Sequence, residues 1–182
     1  MGLFRKERKP PAQEDWYAPD RLDLQLLQSS AVTLYHKSAV LAQDLAWLQQ
    51  AGYRAYTFDA LNWKTPADFH TDVKRELAVE HYAGNLASWL DCLGDLDVPR
   101  QGGVVMQLRH FDAFARAEPK FAHTLLDSIE SASRRFLLME RRLLALVQSD
   151  DPRIRFERVG AAPLNWNPRE WLDADRGLRP AS

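Results

Sequence analysis

The chain has 182 residues, 46% of them hydrophobic, and a net charge of −1, which suits one domain able to bury its own core and excludes a nucleic-acid binder working through bulk positive charge. A single cysteine, Cys92, excludes an intrachain disulfide and a multi-cysteine metal site, and fits a reducing, cytoplasmic setting. No apolar run is long enough to span a membrane, and the opening MGLFRKERKPP has no apolar segment behind its basic residues, so it does not read as a secretory signal.

Residues 1–19 read as a frayed arm, with Trp16 and Tyr17 as touch-down points, and residues 20–182 as one α/β domain. The stretch AVTLYHKSAVLAQDLAWLQQAGYRAYTFDA predicts a strand at Val32 to Tyr35 and a helix capped by Ser38 with Leu41, Leu45 and Leu48 inward. Gly52 ends that helix and a second strand runs from Tyr53 to Phe58. Two strands joined by a packed helix run parallel, so the expected core is a parallel sheet covered by helices.

TPADFHTDVKRELAV carries an N-cap at Thr65, proline at the first helical position and Asp68 in the capping-box position, and predicts a helix burying Phe69, Val73 and Leu77. His70 and Asp72 diverge around that helix too far to chelate together, and a solvated face is the expectation for HTD. After the loop HYAGN, a second helix starting at Asn85 is predicted to bury Leu86, Leu90 and Leu93 and to turn Ala87, Asp91 and Asp95 outward, with Cys92 as a small core residue. Gly102 and Gly103 make a turn before a buried strand at Val104 to Leu108.

Short helical turns at 111–117 lead to a longer helix from Lys120, with Phe121, Leu125, Ile129, Ala132 and Phe136 in helical spacing. RRLLALVQSDDP could prolong that helix, but its compact apolar run before a turn favours a strand at Leu143 to Gln148. RIRFERV alternates and predicts a hairpin partner at the sheet edge, with Arg153, Arg155 and Glu157 outward. LNWNPREWLDADRG predicts a short closing helix with Asn167 as N-cap, Pro168 at the first position and Glu170 reaching back; Trp166 and Trp171 are expected to dock this tail.

Signatures of dinucleotide binding, phosphate-loop chemistry, serine hydrolysis and zinc hydrolysis are missing. His110 and Asp112, after the Val104 strand, are the best remaining pair for an enzyme reading, which ranks last. Neither a cofactor nor a metal is expected. Local charge stands out: residues 65–100 hold Asp68, Asp72, Glu76, Glu80, Asp91, Asp95 and Asp97 against Lys74, Arg75 and Arg100, a net −4 in a nearly neutral chain. Such a run is ordinarily a solvated face; its sharper meaning is a surface that meets a basic partner.

The order of elements and the segment ELAVEHYAGNLASWLDCL resemble the barstar-related ribonuclease inhibitors, over about Tyr53 to Gln148, with Glu76, Leu77, Glu80, Tyr82, Asn85, Leu86, Asp91 and Leu93 in the family's positions. The strand and helix before Tyr53 and the extension over 150–182 are then additions. The resemblance implies a barstar-like fold in which the second helix and the loop before it plug a ribonuclease active site, carboxylates taking the place of the scissile phosphate. It places Asp91 at the central family aspartate, Tyr82 at the second loop aromatic, His81 at the other and Asn85 at the helix start. Ala87 stands where barstar has a second contact aspartate, and the helix-ending glycine falls at Asp95, or at Gly94 if the helix is one residue shorter.

The expected function is stoichiometric inhibition of a ribonuclease or related basic toxin, without catalysis, direct nucleic-acid binding or membrane association. The implied contact set is His81, Tyr82, Asn85, Ala87, Ser88, Asp91 and Asp95. The alternative is an interaction module of the same fold that has lost inhibition and binds another protein through its added edge strand or its tryptophan-bearing tail.

Overall fold

The computed structural model describes residues 21–178; the expected arm, with Trp16 and Tyr17, lies outside the described residues. In chain order the elements are α1 (Leu22–Leu27), β1 (Val32–Tyr35), α2 (Ser38–Gln50), β2 (Tyr53–Asp59), α3 (Pro66–Glu76), α4 (Leu86–Gly94), β3 (Gly103–Arg109), α5 (Phe111–Ala117), α6 (Pro119–Leu137), β4 (Leu143–Gln148) and β5 (Asn165–Trp166). The five strands form one sheet in the order β2-β3-β4-β1-β5, every pairing parallel. β1 and β2 run in the same sense, as a helical crossover requires, but β3 and β4 lie between them. No helix among the described residues is long and apolar enough to cross a membrane.

The central strands are apolar on both faces because both faces are covered. Val105, Leu144 and Leu146 pack with Leu41 and Leu48 of α2, and Leu26 of α1, on one side. Val104, Met106, Leu108, Leu143, Ala145 and Val147 face α3 to α6 on the other, where Phe69, Trp89, Phe114, Leu125 and Phe136 fill the larger core. Successive residues of one strand thus enter opposite clusters, the period of two that a pleated strand imposes. Gly102 permits the close return between the end of α2 and the start of β3: its φ is +76°, and a Cβ there would lie 2.3 Å from the Gly52 carbonyl oxygen.

The added segments are tied to this sheet by buried polar groups. Glu170 is fully buried and accepts from the backbone N–H groups of His36 (3.0 Å) and Lys37 (2.7 Å), satisfying orphan donors at the start of α2. The cap expected from Ser38 is therefore supplied by a carboxylate 133 residues beyond Lys37, and Ser38 is the first helical residue. Glu170 does not serve its own segment, which is a three-residue 3-10 turn capped by Asn167. Asp44 accepts from Tyr35 (2.9 Å) and Asn167 (2.7 Å) and pairs with Arg169, so burial and its charged partner push the Tyr35 phenol well up.

The hairpin expected of RIRFERV is not formed. Arg153, Arg155 and Glu157 do point outward with Ile154 and Phe156 half-buried, but the outer edge of β1 is taken by β5, a two-residue strand made by the tail. Trp166 is half-buried beneath the Arg176 guanidinium, 4.6 Å from its ring centroid. Trp171, expected to dock, is 56% exposed.

Candidate partner-binding surface

α3 starts as its sequence dictates. Asp68 accepts from the backbone N–H of Thr65 at 2.9 Å, and Pro66 occupies the first turn, where its missing donor costs nothing. Phe69 and Val73 are buried, with Leu77 half-buried. His70 is buried rather than solvated: its Nδ1 lies 2.5 Å from the Tyr82 hydroxyl, and its ring packs against Phe69 and Phe121. That burial cannot be read from HTD alone, because the phenol that satisfies the imidazole comes from the next loop.

α4 is opened by a reciprocal cap. The Asn85 side chain accepts from Ser88 N (2.9 Å), and Ser88 Oγ accepts from Asn85 N (3.1 Å). The buried face of α4 is Trp89 and Leu93, with Leu86 half-buried. Trp89 Nε1 donates to Ser128 Oγ of α6 at 2.8 Å, and its ring meets Phe69 edge-on with centroids 5.1 Å apart. Fully burying a side chain of this kind is worth about 2–3 kcal/mol, so Trp89 sets the rotation of the helix. Leu90, expected in the core, is instead 44% exposed beside Asp91. Cys92 is half-buried, and burial, with Asp91 and Asp95 beside it, raises its thiol pKa and keeps it protonated.

The outward residues are then Asn85, Ala87, Leu90, Asp91 and Asp95, continued by His81 in the loop. Two members of the expected contact set are differently placed: Tyr82 is buried and held by His70, and Ser88 is half-buried in the cap. Beside α4 a cleft of about 410 Å³ is lined by Tyr56, His81, Tyr82, Asp91, Asp95 and Asp97, among others.

Of the seven carboxylates in this region, four are engaged. Asp68 caps α3, Asp72 accepts from Trp63 Nε1 (2.7 Å) and pairs with Arg75 (2.7 Å), Glu76 pairs with Arg75 (3.0 Å), and Asp97 pairs with Arg54 (3.3 Å). Glu80, Asp91 and Asp95 have no cationic partner among the described residues. Asp91 and Asp95 occupy the C-terminal half of α4, where the helix dipole disfavours negative charge, and neither an acid in the first turn nor a base in the last offsets them. Their position does nothing for helix stability.

The pair considered for catalysis is divided. His110 adopts the left-handed conformation (φ 51°), its backbone N–H donates to Gln148 Oε1 at 2.7 Å, and its Nδ1 lies 2.8 Å from Asp150 Oδ2. The hydrogen bond from His110 holds the Asp150 carboxyl below its ordinary range. Asp112 turns to the Asp150 backbone N–H (2.9 Å) and to Arg116 (3.2 Å). These contacts tie the ends of β3 and β4 together. No cluster of three or more potential metal ligands occurs among the described residues.

The run of elements from β2 to β4, with α3 and α4 crossing between the first two of its strands, coincides with a match to the family described as Barstar (barnase inhibitor), over residues 53–148. That span is just over half of the chain. The chain belongs to the barstar family. No curated protein matches it at a significant level. Within the barstar fold here, the acidic loop and helix are the α3–α4 region, while α1, β1, α2 and the tail lie outside the matched span and extend the sheet beyond β4.

Proposed function

We propose that this barstar-family protein inhibits a ribonuclease or a related basic toxin by stoichiometric occlusion, with α4 and the loop before it as the plug and no chemistry of its own. One observation carries the reading: Asp91 and Asp95 are exposed, unpaired and set where they oppose the dipole of their own helix. A fixed row of carboxylates with a firmly seated helix beneath it is complementary to the cationic site that holds a scissile phosphate. Rigidity lowers the ordering cost of binding, and the exposed Leu90 beside Asp91 offers an apolar contact that a charged rim alone lacks. Asp91 and Asp95 also line the cleft beside α4, which they share with the Arg54–Asp97 pair.

The direct test is titration of the protein into barnase with residual ribonuclease activity as the readout. One-to-one loss of activity supports inhibition, and Asp91→Ala should weaken it. The alternative is a module that binds another protein through the added sheet edge, which is β5, or through the tail with its exposed Trp171; unchanged barnase activity in the same titration would favour it.

A further inference from the structure

We propose that the cleft formed by the segment after β4, by strand β5 and by the closing tail is a binding site for a small planar anion of the nucleoside monophosphate class. The inference does not rest on the reading of α4, whose cleft borders β2 at the other edge of the sheet.

The place of the cleft follows from the path of the chain. β4 and β1 are neighbours in the sheet, but the chain leaves them toward opposite faces. After β1 it enters α2, which packs on Val105, Leu144 and Leu146, whereas after β4 Ile154 and Phe156 pack on the larger core of the other face. Adjacent parallel strands whose continuations diverge in this way open a crevice at their carboxyl ends, the place where open α/β sheets hold ligands. The cleft at this end measures about 750 Å³, within the roughly 300–1,000 Å³ usual for small-molecule sites, and Leu34, near the end of β1, is part of its lining.

Its walls are fixed by one buried side chain. Arg176 donates to the carbonyl oxygens of Pro152 (3.0 Å), Glu170 and Trp171 (2.9 Å) and to Asp173 Oδ1 (2.6 Å), with its guanidinium over the Trp166 ring. The tail is thereby clamped to the segment after β4. Trp171, whose backbone this clamp holds, lines the cleft and yet is 56% exposed, its indole without a hydrogen-bond or ring partner among the described residues. A free ring on an anchored backbone can stack on a flat ligand at little further ordering cost.

Charge selects the class of ligand. Arg153 and Arg155 alternate with the half-buried Ile154 and Phe156, so both lie on the outward side of the cleft wall. Neither guanidinium has a hydrogen-bond or ion-pair partner among the described residues. The one acid among the lining residues, Asp173, is taken up by Arg176. Two free guanidinium groups match the double charge of a phosphate monoester, which their planar forks bind through paired hydrogen bonds, and the indole beside them matches a base. A nucleoside monophosphate carries both features in one small molecule.

Calorimetric titration of the full chain with the four ribonucleoside 5′-monophosphates, their nucleosides, inorganic phosphate and benzoate tests the site. At least one monophosphate should bind saturably, and about tenfold or more tighter than its nucleoside, phosphate or benzoate. Arg153→Ala combined with Arg155→Ala should weaken that binding by about tenfold or more, and Trp171→Ala by about fivefold or more. All three positions are exposed, so the variants should fold as the wild type does, which thermal unfolding checks. The absence of saturable binding by any monophosphate would overturn the proposal. So would phosphate or benzoate binding as tightly as the nucleotides, or nucleotide affinity unchanged in the variants.

Discussion

Helices α4 and α6 pack against each other and both present carboxylates, but they use them in opposite ways. On α6, Glu130 is buried and accepts from Ser30 Oγ (2.8 Å), the Ala31 backbone N–H (2.7 Å) and Arg134 Nε (3.0 Å), joining α6 to the start of β1. Asp127 accepts from the Gly160 backbone N–H at 2.6 Å and so fixes the turn between Val159 and Ala162. On α4, Asp91 and Asp95 accept from no side chain and pair with no cation among the described residues. An acid with its hydrogen bonds filled from within explains itself by stability; an acid left open on a helix that it does not stabilise is available to a partner from outside, as proposed here for Asp91 and Asp95. That contrast, more than the net charge of the region, separates a structural carboxylate from a docking one.

The largest effect should come from breaking the structural side. Glu130→Ala leaves the buried donors of Ser30 and Ala31 unsatisfied and frees Arg134, and we expect a loss of about 3 kcal/mol in stability, read from denaturant unfolding, with barnase affinity changed little in the fraction that stays folded. The docking side should show the reverse. Asp91→Ala is expected to weaken binding by about 2 kcal/mol or more, the usual threshold for a hot spot, while stability stays within about 0.5 kcal/mol of wild type. Calorimetric titration beside thermal unfolding checks both halves. A matched loss in both readouts would place Asp91 with Glu130 and remove the contrast.

The parallel sheet, the α3 cap and the order of elements were legible because their signals are local: Thr65 with Pro66 and Asp68, the glycines at 52 and 102, and the compact apolar runs at Val104 and Leu143. The rotation of α4 was not. Leu86, Leu90 and Leu93 fit helical spacing as well as Leu86, Trp89 and Leu93 do, and the choice is made by Ser128 and Phe69 on other helices. The burial of His70 is not legible for the same reason, since its partner Tyr82 lies twelve positions on. The tail was harder still: β5 has two residues, and its place is set by Glu170 on the start of α2 and by Asn167 and Arg169 on Asp44. Long-range polar partners have no sequence period. For the proposed docking surface, position in the family segment singles out Asp91 and the outward face of the predicted helix adds Asp95, whereas Leu90 joins them because Trp89 fills the core.

Ala87 allows the contrast to be sharpened by addition. It is exposed in the first turn of α4, one turn before Asp91. An aspartate there gains from the helix dipole by about 0.3–0.5 kcal/mol and loses a similar amount to repulsion from Asp91 at i+4, so stability should barely move. A second carboxylate facing the same cationic site should tighten barnase binding by about 1 kcal/mol, with the gain diminishing in high salt as exposed charges are screened. Tighter binding that is indifferent to salt would point to a contact other than the intended ion pair.

The smallest effect is the most discriminating, because it should carry opposite signs in two measurements. Asp95 is the C-terminal cap of α4, its backbone N–H donating to the Asp91 carbonyl at 2.9 Å, and its side chain adds negative charge at the negative end of the dipole. Asp95→Asn keeps the size and the backbone bond and removes only the charge. Folding should therefore improve by about 0.3–0.5 kcal/mol, seen as a small rise in melting temperature. Binding should weaken by less than the Asp91→Ala loss, about 0.5 kcal/mol for a charge at the rim, mostly through slower association at low salt. A purely solvated helix face would show the gain in stability with no change in binding; an Asp95 that works with Asp91 as a docking group shows both.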